Sequence, residues 1–409
     1  MDFNDTPTEA AYRSKVRSFL NENADLKNPD KTEISRRLSP DQLLEAAKKW
    51  QALKADHGFA CITWSKEFGG PDGSSMEEVI FSQEEECYDL PVGIFQVGLG
   101  VCLPAIIKLG DNATRERFVK PALRGEEVWC QLFSEPAAGS DLAGIVTRAV
   151  PENKDWIING QKVWTTNAHI ADYGLLLARS NFDLHKHKGM TMFWVDMRTP
   201  GIEVRPIHQI SGKAGFNEVF FKDVIISDDQ RIGEVNGGWK AALVALMNER
   251  LAIGGSKGAD YQEIIELARQ VTNGDSTVIR DNGFRQRLAS WYINSEGIKL
   301  TRYRALTALS RGQTPGPESS ICKIISANQL QDLCNYAIEL QGEFGIINDP
   351  EIASLSASFH QGLLKAPGSR VAGGTDEILL NIIAERVLGM PAEIRVDKNK
   401  PFTEIQSGL

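Results

Sequence analysis

Two short stretches of the chain hold residue types and spacings suited to chemistry. The first is Gln131–Asp141, reading Q-L-F-S-E-P-A-A-G-S-D, and the second is W-T-T-N at Trp164–Asn167. An alternating run ends at Pro136 and passes into Ala-Ala-Gly-Ser-Asp, the composition of a turn that brings backbone N–H groups and a hydroxyl toward an anion. Many surface turns share that composition, so its companions decide its meaning. Asn159–Gly160 reads as a hairpin turn, and on the strand beyond it Trp164 and Thr166 place an aromatic ring and a hydroxyl two residues apart.

A third stretch could supply a base. Ala242, Ala245, Glu249 and Ala252 form one stripe at helical spacing in the segment that includes L-M-N-E-R-L. Alanines on either side leave room in front of the acid and withhold competing hydrogen bonds. A carboxylate in apolar surroundings has its pKa raised toward neutrality and can take a proton from carbon. The same pattern also suits a solvent-facing acid or an ion-pair partner. A fourth stretch is Gly373-Gly374-Thr375. Its glycines let the backbone approach a ligand closely, and Thr375 can cap a helix starting at Asp376.

Four blocks in one order, Gln131–Ile145, Asn159–Asn167, Gly215–Val224 leading into Gly233, and Gly373–Gly389, resemble the acyl-CoA dehydrogenases. These flavoproteins introduce a trans double bond between the alpha and beta carbons of an acyl-CoA thioester. The resemblance runs from about residue 5 to residue 392 and is strongest to bacterial members. It implies FAD as cofactor, with Gln131, Phe133 and Ser134 along the isoalloxazine edge and Ser140 with neighbouring amides at a pyrophosphate, of flavin or of CoA. It also implies Trp164 packed beside the ring and Thr166 donating near its reactive nitrogen. Gly373 to Glu377, including Gly374 and Thr375, becomes a further flavin contact, with the Gly373 N–H polarising the thioester carbonyl.

The resemblance offers two places for the base. Many members carry a glutamate just before the Gly-Thr, where this chain has Gly373. Relatives acting on long or branched chains, the isovaleryl-CoA enzymes among them, carry it on the first helix of the last domain, where Glu249 matches. Arg250, next along, then faces the CoA portion, unless it forms a structural ion pair. Two departures stand out. No Arg-x-x-Phe-Gly segment occurs in Ala268–Asn282, leaving Arg280, Arg285 and Arg287 as nearby candidates for the arginine that reaches a neighbour's flavin. Gln341-Gly342-Glu343-Phe344-Gly345 departs from Gln-x-x-Gly-Gly-x-Gly by placing an acid near a pyrophosphate.

The implied partners are an acyl-CoA substrate and an electron-transfer flavoprotein. The implied assembly is a homotetramer or dimer, or a heterotetramer with a second acyl-CoA dehydrogenase subunit. Gly373, Ala372, Gly93, Gly98 and Gly100 suggest room for a long, branched or steroid-side-chain acyl group. Competing readings are an oxygen-using oxidase or monooxygenase on the same fold, and a noncatalytic partner subunit.

These stretches need elements to position them. Residues 1–127 read as helical, with Ser39–Pro40 a helix start and Ser74 or Ser75 a cap. Residues 128–236 switch to period two, with seven short strands that argue for a compact antiparallel, barrel-like domain. Residues 237–392 return to helical patterning and read as a four-helix bundle, followed by a polar tail, 393–409, either loose or laid on a neighbour. The fold class is thus α+β, helical, then β-barrel-like, then a helical bundle.

Composition narrows the partners. The 409 residues are 42% hydrophobic and 24% charged with a net charge of -9, so neither nucleic acid nor membrane is an expected partner. Six scattered cysteines read as reduced thiols, and His185 and His187 as part of a solvated loop rather than a metal site. The acidic start without an apolar leader leads to a cytoplasmic expectation.

Overall fold

The computed structural model describes residues 5–28, 34–253, 261–310, 316–394, 397 and 400–405; the side chains of 35–36, 247–253, 273, 306, 309–310 and 319 lie outside this description. The chain separates into two compact units, one formed by Met1–Lys27, Glu33–Ala252 and Ile394–Leu409, the other by Asn28–Thr32 and Ile253–Glu393.

The first unit opens with helices α1 (Pro7–Asn23), α2 (Ile34–Arg37), α3 (Pro40–Asp56), α4 (Ser75–Glu85), α5 (Leu103–Leu109) and α6 (Asn112–Leu123). The side chains of Thr6, Ser39 and Ser74 each accept from the backbone N–H three residues on, and their own N–H groups donate to the Glu or Gln side chain there, so α1, α3 and α4 start on capping boxes. Phe19, Trp50, Phe59 and Phe81 bury their rings where these helices meet.

Strands β1 (Trp129–Leu132), β2 (Arg148–Glu152), β3 (Asp155–Thr166), β4 (Tyr173–Arg179), β5 (Met190–Asp196), β6 (Ile202–Ile207), β7 (Phe216–Ser227) and β8 (Arg231–Ile232) make one eight-stranded sheet. Its order is β6-β7-β3-β2-β4-β5-β8, with β1 added to β4. The expected barrel does not form. No ladder joins β6 to β8 among the described residues, and the sheet ends on both as edges. β8 is two residues long and pairs only through Met192↔Ile232 and Phe193↔Arg231. β6 carries Glu203, Arg205 and Pro206, residue types that blunt an open edge. Nor is the sheet purely antiparallel, because β1 and β2 both run parallel to β4. β4 is buried along its whole length, the near-continuous apolar run expected of a strand covered on both faces.

Asn159–Gly160 is not a hairpin turn. β3 runs straight through it as a twelve-residue strand, and the register against β7 shifts between Ile158 and Gly160. The turn joining β2 to β3 lies at Asn153–Lys154, between the paired Glu152 and Asp155, with Asn153 left-handed (φ 56°). Glycine is required at 160 for a different reason. A Cβ there would sit 2.4 Å from Thr147 Oγ1 and 2.7 Å from its Cα, so β2 could not lie so close. Gly160→Ala is expected to cost ~1–3 kcal/mol by overpacking, read as a lower urea midpoint.

Helix α7 (Gly238–Ile253) closes this unit. Ala241, Ala242 and Ala245 are fully buried in one core with Leu175, Leu177, Met190 and Met192 of the sheet, so two of the striped alanines have a packing role.

The second unit contains α8 (Tyr261–Gln270), the short ladder of β9 (Thr272–Asn273) with β10 (Ser276–Thr277), α9 (Asn282–Ser310), α10 (Ser319–Leu340), α11 (Ser358–Val371) and α12 (Asp376–Ile382). Ile264 and Leu267 of α8, Phe284 and Trp291 of α9, Leu333 and Ala337 of α10, and Phe359 and Ala366 of α11 share one core. Among the described residues no helix is long and apolar enough to cross a membrane.

Candidate active site

β1 leads into the first chemical stretch. Gln131 and Leu132 pair with Leu175 and Leu176 of β4, which seats Gln131 half-buried and Phe133 fully buried at the sheet's core. The chain then folds on itself, since Glu135 and Ala138 exchange backbone hydrogen bonds of 3.1 and 3.0 Å. Pro136, Ala137, Gly139, Ser140 and Asp141 stand exposed beyond that turn.

What holds the turn is a buried ion pair. Lys162 Nζ donates to Glu135 Oε1 at 2.8 Å and to Phe133 O at 2.9 Å, with Lys162 0% and Glu135 4% exposed. Glu135 also accepts from the N–H groups of Val146 (2.7 Å) and Thr147 (3.0 Å). Burial alone would raise this carboxyl's pKa; the Lys162 charge and the hydrogen bonds outweigh it and hold the group below its ordinary value. Neither residue was among the sequence candidates. Their signal was one charge in each of two segments, Glu135 in the turn beyond β1 and Lys162 on β3, and only tertiary pairing makes it legible.

β3 brings the second stretch alongside the first. Val163 N–H donates to Ser134 O at 2.9 Å. A register shift follows between Lys162 and Thr165, and within it Trp164 adopts a left-handed backbone (φ 59°) while its ring stays 58% exposed. A bulky residue in that region carries strain of ~1–3 kcal/mol, the kind of outlier that gathers at ligand sites. Phe216 on β7 meets the Trp164 ring edge-on at 6.2 Å. Ser134 and Thr166 are half-buried, and neither hydroxyl makes a hydrogen bond among the described residues.

Behind the Gly139–Asp141 turn lies Arg179, 0% exposed, which donates to Ile145 O (2.9 Å), Ala143 O (2.6 Å) and Lys186 O (3.2 Å). Burial lowers its pKa to about 10. Its guanidinium stacks 3.7 Å from the ring of Phe402. The tail therefore lies on its own chain: Phe402 and Thr403 donate to Leu184 O and Phe182 O, and Lys186 pairs with both Asp141 and Asp397. The loop of His185 and His187 is correspondingly occupied rather than simply solvated, His185 bonding Lys400 O at 3.1 Å and His187 packing on Trp239.

In the second unit, Gly373 and Gly374 are both left-handed (φ 66° and 102°) between α11 and α12. Thr375 is the N-cap, its Oγ1 accepting from Ile378 N–H, so that hydroxyl is spent on the helix. Glu377 is exposed, its carboxyl held below the usual value first by its own backbone N–H and then by Thr375. Lys323 of α10 donates to Gly374 O (2.7 Å) and Arg370 O (2.8 Å).

Glu343 and Phe344 are exposed, while Gly345 is buried with its carbonyl 2.6 Å from His360 Nε2. Arg280 and Arg285 are exposed, and Arg287 lies over the Tyr336 ring. Gly98 is filled in front by Trp129, whose Cβ would stand 3.1 Å from an added methyl; Gly93 has open space. The side chains of Glu249 and Arg250 lie outside the described residues.

Three family models, the N-terminal, middle and C-terminal domains of acyl-CoA dehydrogenase, match residues 6–126, 130–224 and 236–388. The chain belongs to the acyl-CoA dehydrogenase family. Acyl-CoA dehydrogenase FadE34 of Mycobacterium tuberculosis is 36% identical over 391 residues, covering 94% of this chain and 51% of that protein, so the chain spans about half of that relative's length. Acyl-CoA dehydrogenase IpdE1 of the same organism is 32% identical over 360 residues, covering 87% of this chain and 90% of that one. Two solved structures share the fold: the Tcur3481-Tcur3483 steroid ACAD, with a TM-score of 0.80, and the ChsE4-ChsE5 complex from Mycobacterium tuberculosis, with 0.79. Each is 24% identical and covers 96% of this chain and 100% of its own.

Proposed function

We propose that this chain is an FAD-dependent acyl-CoA dehydrogenase that removes an alpha proton and a beta hydride from an acyl-CoA thioester. The observation that carries the reading is the strip of Ser134, Trp164 and Thr166. Two half-buried hydroxyls that have no protein partner among the described residues stand on segments joined by the Val163–Ser134 hydrogen bond, and two residues before Thr166 an exposed indole stands on a strained backbone. That arrangement fits a planar, polar-edged ring: the indole offers it a face and the hydroxyls offer its edge donors. Gln131 and Phe133 would extend the strip, and Ser140 in its exposed turn would meet a pyrophosphate. FAD, when bound, supplies the hydride acceptor.

The chain's own residues do the rest. Glu249 takes the alpha proton, and the Gly373 N–H donates to the thioester oxygen as negative charge develops there. Among the described residues that N–H has no protein acceptor, and the backbone at Gly373 and Gly374 is left-handed. Arg250 would contact the CoA moiety, Gly374, Thr375 and Glu377 would line the flavin, and electrons would leave to an electron-transfer flavoprotein. With glycine where many members place a glutamate, the space beside the thioester suits a long, branched or steroid-side-chain acyl group.

Anaerobic mixing with straight, branched and steroid-side-chain acyl-CoAs tests this. Bleaching of the flavin is expected, at least 10-fold faster with a bulky acyl chain than with a four-carbon one, a difference of about 1.4 kcal/mol in barrier. Bleaching by none of them would remove the proposed activity. A preference for the four-carbon substrate would remove the bulky-chain assignment.

A further inference from the structure

We propose that Lys323 is a positioning residue for this reaction, fixing the Gly373 amide by clamping the carbonyls on either side of it. The inference rests on the reading of that amide as the thioester donor. Lys323 lies on α10, its side chain 13% exposed, and spends two of its three N–H donors on Arg370 O (2.8 Å) and Gly374 O (2.7 Å). The first is a carbonyl in the last turn of α11, where a cation is favourable; the second follows Gly373 directly.

The same ammonium lies 3.8 Å from Asp376 Oδ1, an oxygen buried without a hydrogen-bond partner among the described residues. Asp376 Oδ2 in turn accepts from Arg370 Nε (2.8 Å) and Asn328 Nδ2 (3.3 Å), and Arg370 Nη1 reaches Gln331 at 3.0 Å. Both ends of the loop are therefore tied to α10: the end of α11 through Arg370, and the start of α12 through Asp376. The loop needs this restraint. Two consecutive left-handed glycines have the widest conformational freedom of any residue pair, and no side chain of theirs can anchor them. A donor must sit within a few tenths of an ångström of the place where charge develops, and a displacement of 1 Å costs ~100-fold in rate.

Lys323→Met keeps the length and removes the donors. In the flavin-free chain, hydrogen exchange of the 371–376 amides is expected to quicken by ~10-fold or more while exchange elsewhere in α10 is unchanged. In the flavin-loaded protein kcat is expected to fall ~10- to 100-fold with KM for acyl-CoA within a factor of two. The carbonyl stretch of a bound, non-reacting acyl-CoA labelled with carbon-13 at C1 is expected to move back toward its value in water. Lys323→Gln, which keeps one donor, should lie between, and serves if the methionine variant does not fold. Where the wild type oxidises acyl-CoA, unchanged loop exchange in the variant, or a variant with wild-type kcat and carbonyl frequency, would overturn the clamp. Should the wild type oxidise no acyl-CoA, the dehydrogenase reading fails, and the exchange result alone decides whether Lys323 holds the loop.

Discussion

Glu249→Gln should keep its flavin and still bind acyl-CoA, yet reduce that flavin ~100- to 10,000-fold more slowly, the range a general base contributes. That is a barrier of about 3–5 kcal/mol. Gln is close to isosteric, so packing is preserved and the loss reports the proton acceptor. α7 spans Gly238–Ile253 and buries Ala242 and Ala245 against the sheet. Glu249 follows on the same helical stripe, and Gly373 has no carboxylate to offer in its place. If Glu249 were an ion-pair member instead, the variant would lose stability and keep its rate. Anaerobic stopped-flow reduction alongside urea unfolding separates the two, and full reductive activity in the Gln variant would sink the assignment.

Local signals were legible in the sequence and long-range ones were not. Ser39–Pro40 announces its helix because a cap depends only on residues three apart, and the structure has the full capping box there. The period-two run from Trp129 onward likewise locates the sheet. Asn159–Gly160 misled because Asn-Gly answers to two demands, a tight turn or a close backbone approach, and here Thr147, just before β2, makes the second. β2, R-A-V-P-E, carries little strand pattern of its own, for it holds proline and two charges and buries only Ala149. Closure of a barrel cannot be read from strand count, since it depends on whether the two end strands are long enough to pair. The tail's docking through Phe402 on Arg179 leaves no periodic trace either. At the site, residue types were readable, whereas the frame that fixes them, Glu135 with Lys162 and Lys323 with Asp376, consists of charged residues whose partners lie far along the chain.

Lys162→Met is expected to destabilise the first unit by ~3–5 kcal/mol, the cost of leaving one member of a buried pair unpaired. The pair itself need not be strongly stabilising, because two charges have been taken out of water. What makes it matter is its position: Glu135 ties two N–H groups and Lys162 one carbonyl, around Phe133–Ser134. The Glu135→Gln/Lys162→Met double variant should recover ~1–3 kcal/mol of the loss, since no charge is stranded, although the amide's single oxygen accepts from only one of the two N–H groups that the carboxylate's two oxygens serve. Acidity distinguishes this account from simple cavity formation. In the wild type the folded pKa of Glu135 is depressed, so its contribution is present above the unfolded value of ~4.3 and is lost as pH falls through the folded pKa. Without Lys162, burial dominates and the folded pKa rises above the unfolded one, so the penalty is largest at neutral pH and fades as the carboxyl protonates. The stability gap between wild type and Lys162→Met should accordingly narrow from pH 7 to pH 4 in urea titrations. A gap that stays constant would assign the loss to packing and remove the ion pair as the device that holds Phe133 and Ser134 in place.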